Sequence, residues 1–535
     1  PDCDAAGAVT LASIPPDDPD VYRMLRAADT IGVFQVESRA QMATLPRLKP
    51  EKFYDLVVEV ALIRPGPIVG EMVHPYLNRR AGREPVIYDH PLLEPILKRT
   101  LGVPLFQEQL LRMSMAVAGF TGGQAEDLRR AMGFKRSEKR MRQLEGLLRE
   151  GMAKHGITGD TADRIVLSIT SFALYGFPES HAASFALLAY ASAYFKAHYP
   201  AAFYTALLNN QPMGFYHPAT LVKDAQRRGV RFNPIDVQVS QWDCTVESDG
   251  AIRLGLRYVR GLRAEAGQGI AAIPFVPQVS DARCPKCGCD DPSMIEPCQT
   301  PRATPQAMFC NVCSHEWTPS AGPSGRFRSI DDLVRRVRLR RDEVAMLAEI
   351  GALNALGHDR RSAMWQVERA IRPAGEMFEA THADAGDDTS RSPLADMTIS
   401  ERLIADYSGT GLTVGPHPLT FRRHELAMRG VVPAIELPRL RAGRRVRTAG
   451  MVITRQRPGT AKGFVFLTLE DETGIANIIV RPDLFATDRT VVSSSFLLVE
   501  GLLQNQDGVT SIKAERMSRL EGMPDEAAID SHDFH

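Results

Sequence analysis

The stretch YGFPESHAASFALLAYASAYF (175–195) joins a Pro-Glu-Ser-His turn to a run without charged residues from 182 to 195. This run is shorter than the roughly 18 to 20 apolar residues that a membrane-spanning helix needs. It therefore predicts a buried helix. Leu, Met, Ala and Arg recur at helical spacing from residue 21 to about 215, with short Gly/Pro turns between the runs. The buried helix is thus expected to belong to one large helical unit.

The chain has 535 residues, and at roughly 150 residues per domain this length predicts three or four domains. Apolar residues make up 44% and charged residues 24%, which is typical of folded proteins and excludes collagen-like and disordered chains. Lys plus Arg and Asp plus Glu number 64 each, so only local clusters of charge can indicate a partner. Residues 1–20 lack the regions of a signal peptide, and we expect a cytoplasmic protein.

Alternating apolar residues indicate strands between about 443 and 520. Turn residues at 471–474 and 506–508 separate them, and their spacing is that of a small five-stranded barrel. The predicted strands span 446–454, 463–469, 475–480, 496–503 and 509–513. The expected fold class is therefore multidomain and mainly α, with a C-terminal five-stranded β-barrel.

The strongest signal for an anionic ligand is the run LRRAMGFKRSEKRMR (128–142), which holds seven Lys or Arg residues and one Glu. It follows a Gly-rich turn at 121–123. Such a turn at a helix start leaves backbone N–H groups unpaired, and guanidinium groups match phosphate oxygens. Arg129 and Arg130, nearest the turn, are the candidates for specific contacts. The later basic residues would attract a nucleic-acid backbone: Lys135, Arg136, Lys139, Arg140 and Arg142. The alternative is a solvated basic helix face.

Ser180 and His181 form a second candidate group, directly before the charge-free run. Polar side chains at a helix start can face a ligand. A plain N-cap is the alternative interpretation.

Six of the eight cysteines lie between 284 and 313, which indicates a metal site rather than a disulfide framework. Cys284 and Cys287 form one CxxC pair, Cys310 and Cys313 form another, and 22 residues separate the pairs. This spacing is close to that of a four-thiolate zinc ribbon, which leaves no open position for water and so predicts a structural Zn²⁺. Three further residues leave the choice of ligands open: Cys289, Cys298 and His315.

Apolar-Gly-apolar hairpins occur at 255–262 and 350–353, the second one after a run of arginines. Between short helices, such a hairpin points backbone amides at a DNA phosphate without contacting bases. The predicted barrel opens with arginines and carries two phenylalanines, a mixture typical of single-strand platforms. Buried barrel phenylalanines are the alternative. The candidate DNA contacts in these regions are Gly255, Gly261, Gly351, Arg444, Arg445, Phe464 and Phe466.

Six collinear segments resemble the bacterial family C DNA polymerases, the polymerase III alpha-subunit type, and specifically their error-prone branch. They are GVFQVESR (32–39), ALIRPGP (61–67), GVPLFQEQ (102–109), DLRRAMG (127–133), YGFPESHAASF (175–185) and KAHYPAAF (196–203). The resemblance covers roughly residues 21–520. It implies a DNA-directed DNA polymerase that adds deoxynucleotides to a primer on damaged template, in translesion synthesis and damage-induced mutagenesis.

The resemblance also implies a domain order. Residues 21–245 would be the helical fingers domain, and 246–358 a helix-hairpin-helix region that contains the cysteine-rich insert at 281–324. The C-terminal barrel, at 426–520, would be of the oligonucleotide-binding (OB) type. The remaining parts would be a flexible N-terminus at 1–20, a helical segment and linker at 359–425, and a tail at 521–535.

By the same resemblance, Arg129 and Arg130 would bind the triphosphate of the incoming nucleotide. Further nucleotide contacts would come from Arg64, Gln107, Gln109, Ser180 and His181. Arg39 and Lys135 would contact DNA on the same surface.

Two features depart from the family. Its palm domain binds two Mg²⁺ ions through three aspartates upstream of the GVFQ-like segment, whereas here only about thirty residues precede Gly32. Asp2 and Asp4 lie too near that segment to be the paired aspartates. We therefore expect a C-terminal portion without the palm and phosphoesterase-like domains, inactive alone. The cysteine-rich insert is the second departure.

The expected partners are primer–template DNA and deoxynucleoside triphosphates, together with other damage-response polymerase components, and no membrane. A sliding-clamp peptide at 376–378 matches poorly, and the polar, acidic segment 373–398 favours a linker. The alternative function is a non-catalytic, DNA-binding accessory protein derived from such a polymerase.

Overall fold

A computed structural model describes residues 9–63, 70–131, 138–172, 177–274, 284, 286–289, 291–297, 308–317, 325–370, 392–523 and 532–534. Helices dominate the first part of the chain, where apolar residues recur every three or four positions. In chain order they are α1 (Pro19–Arg26), α2 (Arg39–Leu48), α3 (Phe53–Leu62), α4 (Gly70–Arg80), α5 (Glu94–Leu97), α6 (Gln107–Ala118), α7 (Gly122–Ala131), α8 (Glu138–Lys154), α9 (Gly159–Phe172), α10 (Glu179–His198), α11 (Pro200–Asn209) and α12 (Pro218–Arg227).

Helix α10 runs for 20 residues and packs against α3. Helix α3 is itself buried on all sides from Asp55 to Leu62. Small side chains let neighbouring helices approach closely, and four alanines of α10 are buried at helical spacing: Ala182, Ala186, Ala189 and Ala193. The predicted helix at 182–195 is confirmed, but it is buried on one side only, because Ser184, Leu187 and Leu188 are exposed.

A fully buried cation, Lys196, lies near the end of α10. Its ammonium donates to the Ile31 carbonyl oxygen and to Asp224, each at 2.8 Å, and Asp29 lies at 3.3 Å. Tyr204 donates to the same Asp224 carboxylate at 2.6 Å. A buried charge is tolerated only where it is paired and hydrogen-bonded. This network therefore ties the loop at Ile31 to α10, α11 and α12.

A second helical core is built by α6, α7, α8 and α9. Met113, Leu128, Leu148 and Ile165, one from each helix, are buried in it. This core fixes the last turn of α7, which carries Arg129 and Arg130, relative to α6.

Residues 225–421 make up most of the second of two compact units. Its first three strands form a sheet in the order β1-β3-β2, and the next three form an antiparallel sheet in the cysteine-rich insert. The elements in chain order are β1 (Phe232–Asn233), β2 (Thr245–Val246), β3 (Ile252–Arg253), α13 (Ala264–Ala272), β4 (Ile295–Pro297), β5 (Met308–Cys310), β6 (His315–Trp317), α14 (Ile330–Val337), α15 (Arg341–Glu349), α16 (Arg360–Ala370) and α17 (Ile399–Thr410).

The first unit contains, besides residues 1–224, the barrel at 422–520. Neighbouring strands pair antiparallel, β10 pairs back to β7, and β11 pairs in parallel with β9, which closes five strands into a barrel. A last short strand adds to β7 in parallel. The elements are α18 (Arg423–Met428), β7 (Arg445–Gln456), β8 (Val465–Glu470), β9 (Ile475–Val480), α19 (Pro482–Thr487), α20 (Arg489–Val492), β10 (Phe496–Gln506), β11 (Val509–Arg519) and β12 (His532–Phe534).

The predicted fold class is confirmed. The five barrel strands lie where alternation placed them, and β10 and β11 extend beyond the predicted ends into a long hairpin. The predicted domain boundaries stay predictions. Among the helices of the described residues, none is both long and apolar enough to cross a membrane.

Replacing Lys196 by alanine should leave the Asp224 carboxylate buried without its cation. Removing one partner of a buried pair costs about 3–5 kcal/mol, so we expect a clearly lower midpoint for helical unfolding in denaturant, followed by circular dichroism. Lys154→Ala in α8 is the matched control, because Lys154 is exposed and such changes stay within about 0.5 kcal/mol. Equal midpoints for both variants would contradict the role given to Lys196.

Candidate nucleotide and nucleic-acid interface

The first turns of α6 and α10 lie side by side. Phe106 and Phe177, just before the two helices, form a parallel bridge, and the Gln107 N–H donates to the Phe177 carbonyl oxygen at 3.0 Å. The Glu108 carboxylate in turn accepts from the Glu179 N–H at 2.9 Å. Two helix N-termini, each with a partial positive charge, therefore meet at one place.

Ser180 and His181 are exposed in the first turn of α10. The N-cap of this helix is Pro178, so the alternative that Ser180 is a plain N-cap is wrong. The His181 ring centroid lies 5.1 Å from that of Phe177 and 4.4 Å from that of Phe185, edge to face. Both polar residues are thus held at the helix N-terminus and face solvent.

Gln107 begins α6 at the same junction, whereas Gln109 is buried. The Gln109 Oε1 accepts from the N–H groups of Leu105 and Phe106 at 2.8 and 3.0 Å, and its Nε2 donates to the Thr100 Oγ1 at 2.8 Å. Both ends of the amide are used within the chain. Gln109 therefore positions the loop before α6, and we remove it from the predicted nucleotide contacts.

Arg129 and Arg130, in the last turn of α7, share one carboxylate. Arg129 holds Glu126 as a fork, with nitrogen–oxygen distances of 2.6 and 2.8 Å, and the Arg130 Nε lies at 3.1 Å. The hydrogen bonds from Arg129 chiefly lower the pKa of Glu126 to about 2. The bond to Glu126 raises the pKa of Arg129, and the charge of Glu108 adds to this. Arg129 therefore interacts electrostatically with the first turn of α6.

Several predicted residues fall where the structure gives no side chain. Arg64, Lys135 and Arg136 lie outside the described residues, as does the segment 376–378. Lys139 and Arg140 belong to the first turn of α8, of which only the backbone is described.

One contact at this junction was missed by the sequence analysis. The Tyr54 hydroxyl donates to the Glu179 Oε1 at 2.9 Å, and the Arg99 guanidinium carbon lies 3.8 Å from the Tyr54 ring centroid. Burial, with the hydrogen bond to Glu179, raises the pKa of Tyr54. These residues come from three distant segments, so no local pattern could have grouped them.

The two helix-hairpin-helix glycines have the expected backbone. Gly261 and Gly351 have φ angles of 80° and 82°, in the left-handed region that favours glycine. Gly255 differs, because its backbone is extended and a Cβ there would lie 2.4 Å from the Trp242 carbonyl oxygen. Close packing explains this glycine, so we remove Gly255 from the predicted phosphate contacts.

On the barrel, Arg444 and Arg445 are exposed at the start of β7, and Phe464 is half-buried before β8. Arg445 forms an ion pair with Glu515 at 2.9 Å. The basic rim of the barrel is therefore accessible to a nucleic-acid backbone but partly neutralised within the chain.

Arg39 and Phe466, both predicted as DNA contacts, contact each other. The Arg39 guanidinium carbon lies 4.6 Å from the Phe466 ring centroid. Its nitrogens lie 3.4 Å from the carbonyl oxygens of Leu467 and Ile478. Neither residue is a free DNA contact in this structure, because helix α2 starts against the barrel wall.

The four predicted zinc ligands come together. The sulfur atoms of Cys284, Cys287, Cys310 and Cys313 all lie within 4.8 Å of one another, with Cys284–Cys313 at 3.5 Å and Cys287–Cys310 at 3.6 Å. Thiolates that share a tetrahedral zinc, at about 2.3 Å each, are separated by about 3.8 Å. The donor set therefore fits Zn²⁺.

The environment of the cluster favours the thiolate at Cys284 but not at Cys313, where burial and the hydrogen bond with Cys284 raise the pKa to about 12. Burial acts to raise the pKa of Cys284, but the N–H groups of Cys287 and Lys286 outweigh it and bring the pKa to about 7. The Cys289 thiol is not part of the cluster; its carbonyl oxygen accepts from the Cys284 N–H at 2.8 Å.

Comparisons with known proteins also place polymerase-like sequence over the helices that carry Gln107, Arg129 and Arg130. Residues 4–156 match the family described as bacterial DNA polymerase III alpha subunit finger domain. The chain is 44% identical over 533 residues to the error-prone DNA polymerase of Alkalilimnicola ehrlichii, covering 98% of this chain and 47% of that protein. The error-prone DNA polymerase of Pseudomonas aeruginosa is 43% identical with the same coverage. Over 98% of its length, this chain is similar to bacterial error-prone DNA polymerases.

Two further matches fall on other parts of the chain. Residues 229–273 match a helix-hairpin-helix motif, and residues 446–520 match an OB-fold nucleic acid binding domain. The chain spans about half the length of the curated error-prone DNA polymerases it matches. Among solved structures, asparaginyl-tRNA synthetase from Pyrococcus horikoshii is 28% identical over 16% of this chain and 22% of that chain. Its TM-score of 0.15 is too low to support any conclusion.

Proposed function

We propose that this chain supplies the nucleotide-binding and DNA-binding parts of an error-prone DNA polymerase, which adds deoxynucleotides to a primer on damaged template. Translesion synthesis and damage-induced mutagenesis would be its setting. The observation that carries the proposal is the pair Arg129 and Arg130 on the single carboxylate of Glu126, within a segment that matches the polymerase finger family.

Glu126 acts in this proposal as a stand-in for a phosphate. Two guanidiniums converge on its oxygens, and such forks match phosphate as well as carboxylate geometry. Because its pKa is about 2, Glu126 stays ionised at neutral pH and keeps both arginines oriented. A triphosphate carries more negative charge than one carboxylate, so it would displace Glu126. The two arginines would then bind the triphosphate without changing their orientation.

The paired N-termini of α6 and α10 would serve the same nucleotide. Arg129 interacts with the charge of Glu108, which bonds the first turn of α10. Gln107, Ser180 and His181 lie in these two first turns. We propose that they orient the nucleotide while the arginines bind its phosphates.

DNA would be bound through its backbone. At the left-handed turn of Gly261 nothing lies within 4 Å of where a Cβ would be, so a phosphate could approach the main chain there without any sequence information being used. The Gly351 N–H already donates to the Ala348 carbonyl oxygen at 3.0 Å. Arg444 and Arg445 add exposed positive charge on the barrel rim. Such contacts suit an enzyme that copies any template.

The catalytic Mg²⁺ ions of such a polymerase activate the primer 3′ hydroxyl when they are bound. Among the carboxylates and histidines of the described residues, one group could hold a metal: Asp18, Asp20 and His198. Asp18 already accepts from the N–H groups of Asp20 and Val21 and pairs with His198 at 3.1 Å. This group does not fit a two-metal site. We therefore assign no phosphoryl-transfer step to these residues and propose that the chain alone is inactive.

A non-catalytic, DNA-binding accessory protein remains the second candidate. The helix-hairpin-helix and OB-fold matches favour it, because both modules bind nucleic acid without any catalytic group. This candidate does not require the arginines of α7 to bind triphosphate.

We also propose that the cysteine cluster binds one structural Zn²⁺. Four thiolates complete its coordination and leave no position for water. Among the described residues of the small sheet β4-β5-β6, Ile295 is the one buried residue outside the cluster. Metal binding would therefore supply most of the stability of this insert.

The change Arg129→Ala with Arg130→Ala should weaken binding of dATP at least about tenfold, because two charge-assisted contacts are lost. Isothermal titration calorimetry of the chain with dATP measures this, and affinity for duplex DNA should change little. Arg149→Ala with Arg164→Ala is the matched control, since it removes two ion-paired arginines of the same helical core. Unchanged dATP affinity in the first variant would contradict the nucleotide site.

Zinc analysis of the purified chain should give one ion per chain. Cys313→Ala should lose the metal and lower the melting temperature of the insert, whereas Cys289→Ala should keep both, because its thiol lies outside the cluster. Mass spectrometry under native conditions counts the ion. A metal-free chain, or equal zinc content in both variants, would remove this proposal.

A further inference from the structure

The outer wall of the barrel at β8 and β9 is covered. Val465, Leu467 and Leu469 point into the barrel core, so alternation places Phe466, Thr468 and Glu470 on the outside. Outward side chains of a barrel normally meet solvent. Thr468 is nevertheless only 7% exposed and Glu470 is fully buried.

Helix α2 supplies part of this cover. Its first residue, Arg39, lies over the Phe466 ring and reaches the carbonyl oxygens of Leu467 and Ile478, which face each other across β8 and β9. The loop before α12 adds the buried Tyr216. Burial raises the pKa of Tyr216, and the negative charge of the nearby Glu470 adds to this.

A second contact lies at the tip of the β10–β11 hairpin. Arg83 binds the Asp507 carboxylate at 2.8 and 3.0 Å, and Arg47, in α2, lies 3.6 Å from it. A Cβ built on Gly508 would lie 3.4 Å from the Pro46 Cβ. The helical domain therefore touches the barrel at both the strand wall and the hairpin tip.

The strand wall and the hairpin tip correspond to the surfaces at which OB barrels bind their ligands. Oligonucleotides bind an OB-fold across the face of its second and third strands and against the loop that joins the fourth and fifth. In this barrel the second and third strands are β8 and β9, and the fourth and fifth are joined by the turn at Asp507 and Gly508. Helix α2 and its neighbours thus occupy the ligand face.

We propose that single-stranded DNA and helix α2 compete for this face, so that bases stack on Phe466 only when Arg39 has left it. The proposal rests on the proposed function, which gives the barrel a DNA strand to bind. Bases stack on aromatic rings as guanidinium groups do, so a base cannot stack on the side of the Phe466 ring that Arg39 covers.

The contact between helix α2 and the barrel has the properties of a reversible contact. Burial lowers the pKa of Arg39 to about 10, and among the described residues no carboxylate forms an ion pair with it. Carbonyl oxygens at 3.4 Å compensate weakly for a desolvated charge. At the hairpin, Arg83 and Asp507 are partly exposed and their attraction is screened by salt. Once released, the arginines would be free to meet phosphates.

The test is the affinity of the chain for labelled oligothymidylate, measured by fluorescence anisotropy. Arg39→Ala removes a positive charge, which on its own weakens DNA binding, so tighter binding has to come from a freed barrel face. If the docked form holds about 90% of the molecules, release strengthens binding about tenfold. Arg39→Ala with Phe466→Ala should lose this gain, because the stacking ring is gone.

Arg23→Ala is the matched control, since Arg23 is an exposed arginine paired with Asp20 in α1, and it should bind no more tightly than the unmodified chain. Should Arg39→Ala fail to fold by circular dichroism, Arg47→Ala with Arg83→Ala releases the hairpin instead and should also tighten binding. If the chain binds the oligonucleotide but neither release variant binds it more tightly, the competition is wrong and the DNA proposal stands. If no variant binds at low salt, both are wrong.

Discussion

The buried ammonium of Lys196 is the interaction on which the arrangement of the helical domain depends. It joins the end of α10 to Asp224 of α12 and to the loop at Ile31. That loop carries Phe34, whose N–H donates to the Ser192 Oγ at 3.1 Å and whose ring stacks on Phe185 at 5.5 Å. Phe185 in turn contacts His181. One buried charge therefore fixes the loop that packs against α10, the helix whose first turn carries Ser180 and His181.

The net charge does not indicate a nucleic-acid surface, because several arginines form ion pairs within the chain. Arg129 and Arg130 share Glu126, and on the barrel Arg447 of β7 and Arg516 of β11 share Glu500 of β10 in the same way. Hydrogen bonds from the arginines lower the pKa of each of these carboxylates. Both stay ionised at neutral pH, so phosphate has to displace them. Binding to this chain should therefore depend on salt much more than on pH near neutrality.

Local patterns were enough to predict the elements. Alternation and turn residues placed the five barrel strands, and two CxxC pairs at ribbon spacing placed the cysteine cluster, because each signal lies within a few residues of sequence. The charge-free run predicted helix α10 in the same way. The basic run after the glycine turn predicted the arginines of α7 as anion-binding candidates, because the turn that begins the helix and the basic residues lie in one short segment.

Long-range contacts could not be predicted, and they decide what several residues do. Gln109 lies in a family motif, yet its amide supports its own loop. Arg39 looks like a DNA contact until the barrel, more than 400 residues away, is folded against it. Gly255 sits in an apolar-Gly-apolar pattern but serves close packing against Trp242. In each case the residue type was informative, and its partner was set by the tertiary fold.

The most direct test of the central claim is a gel-shift titration of primer–template DNA with this 535-residue chain, run beside primer extension with Mg²⁺ and all four deoxynucleotides. The account predicts a shift that weakens steeply as salt rises, with no extension of the primer. Absence of a shift at low salt would contradict the claim that the chain binds DNA. Extension would show that catalytic carboxylates lie within the chain.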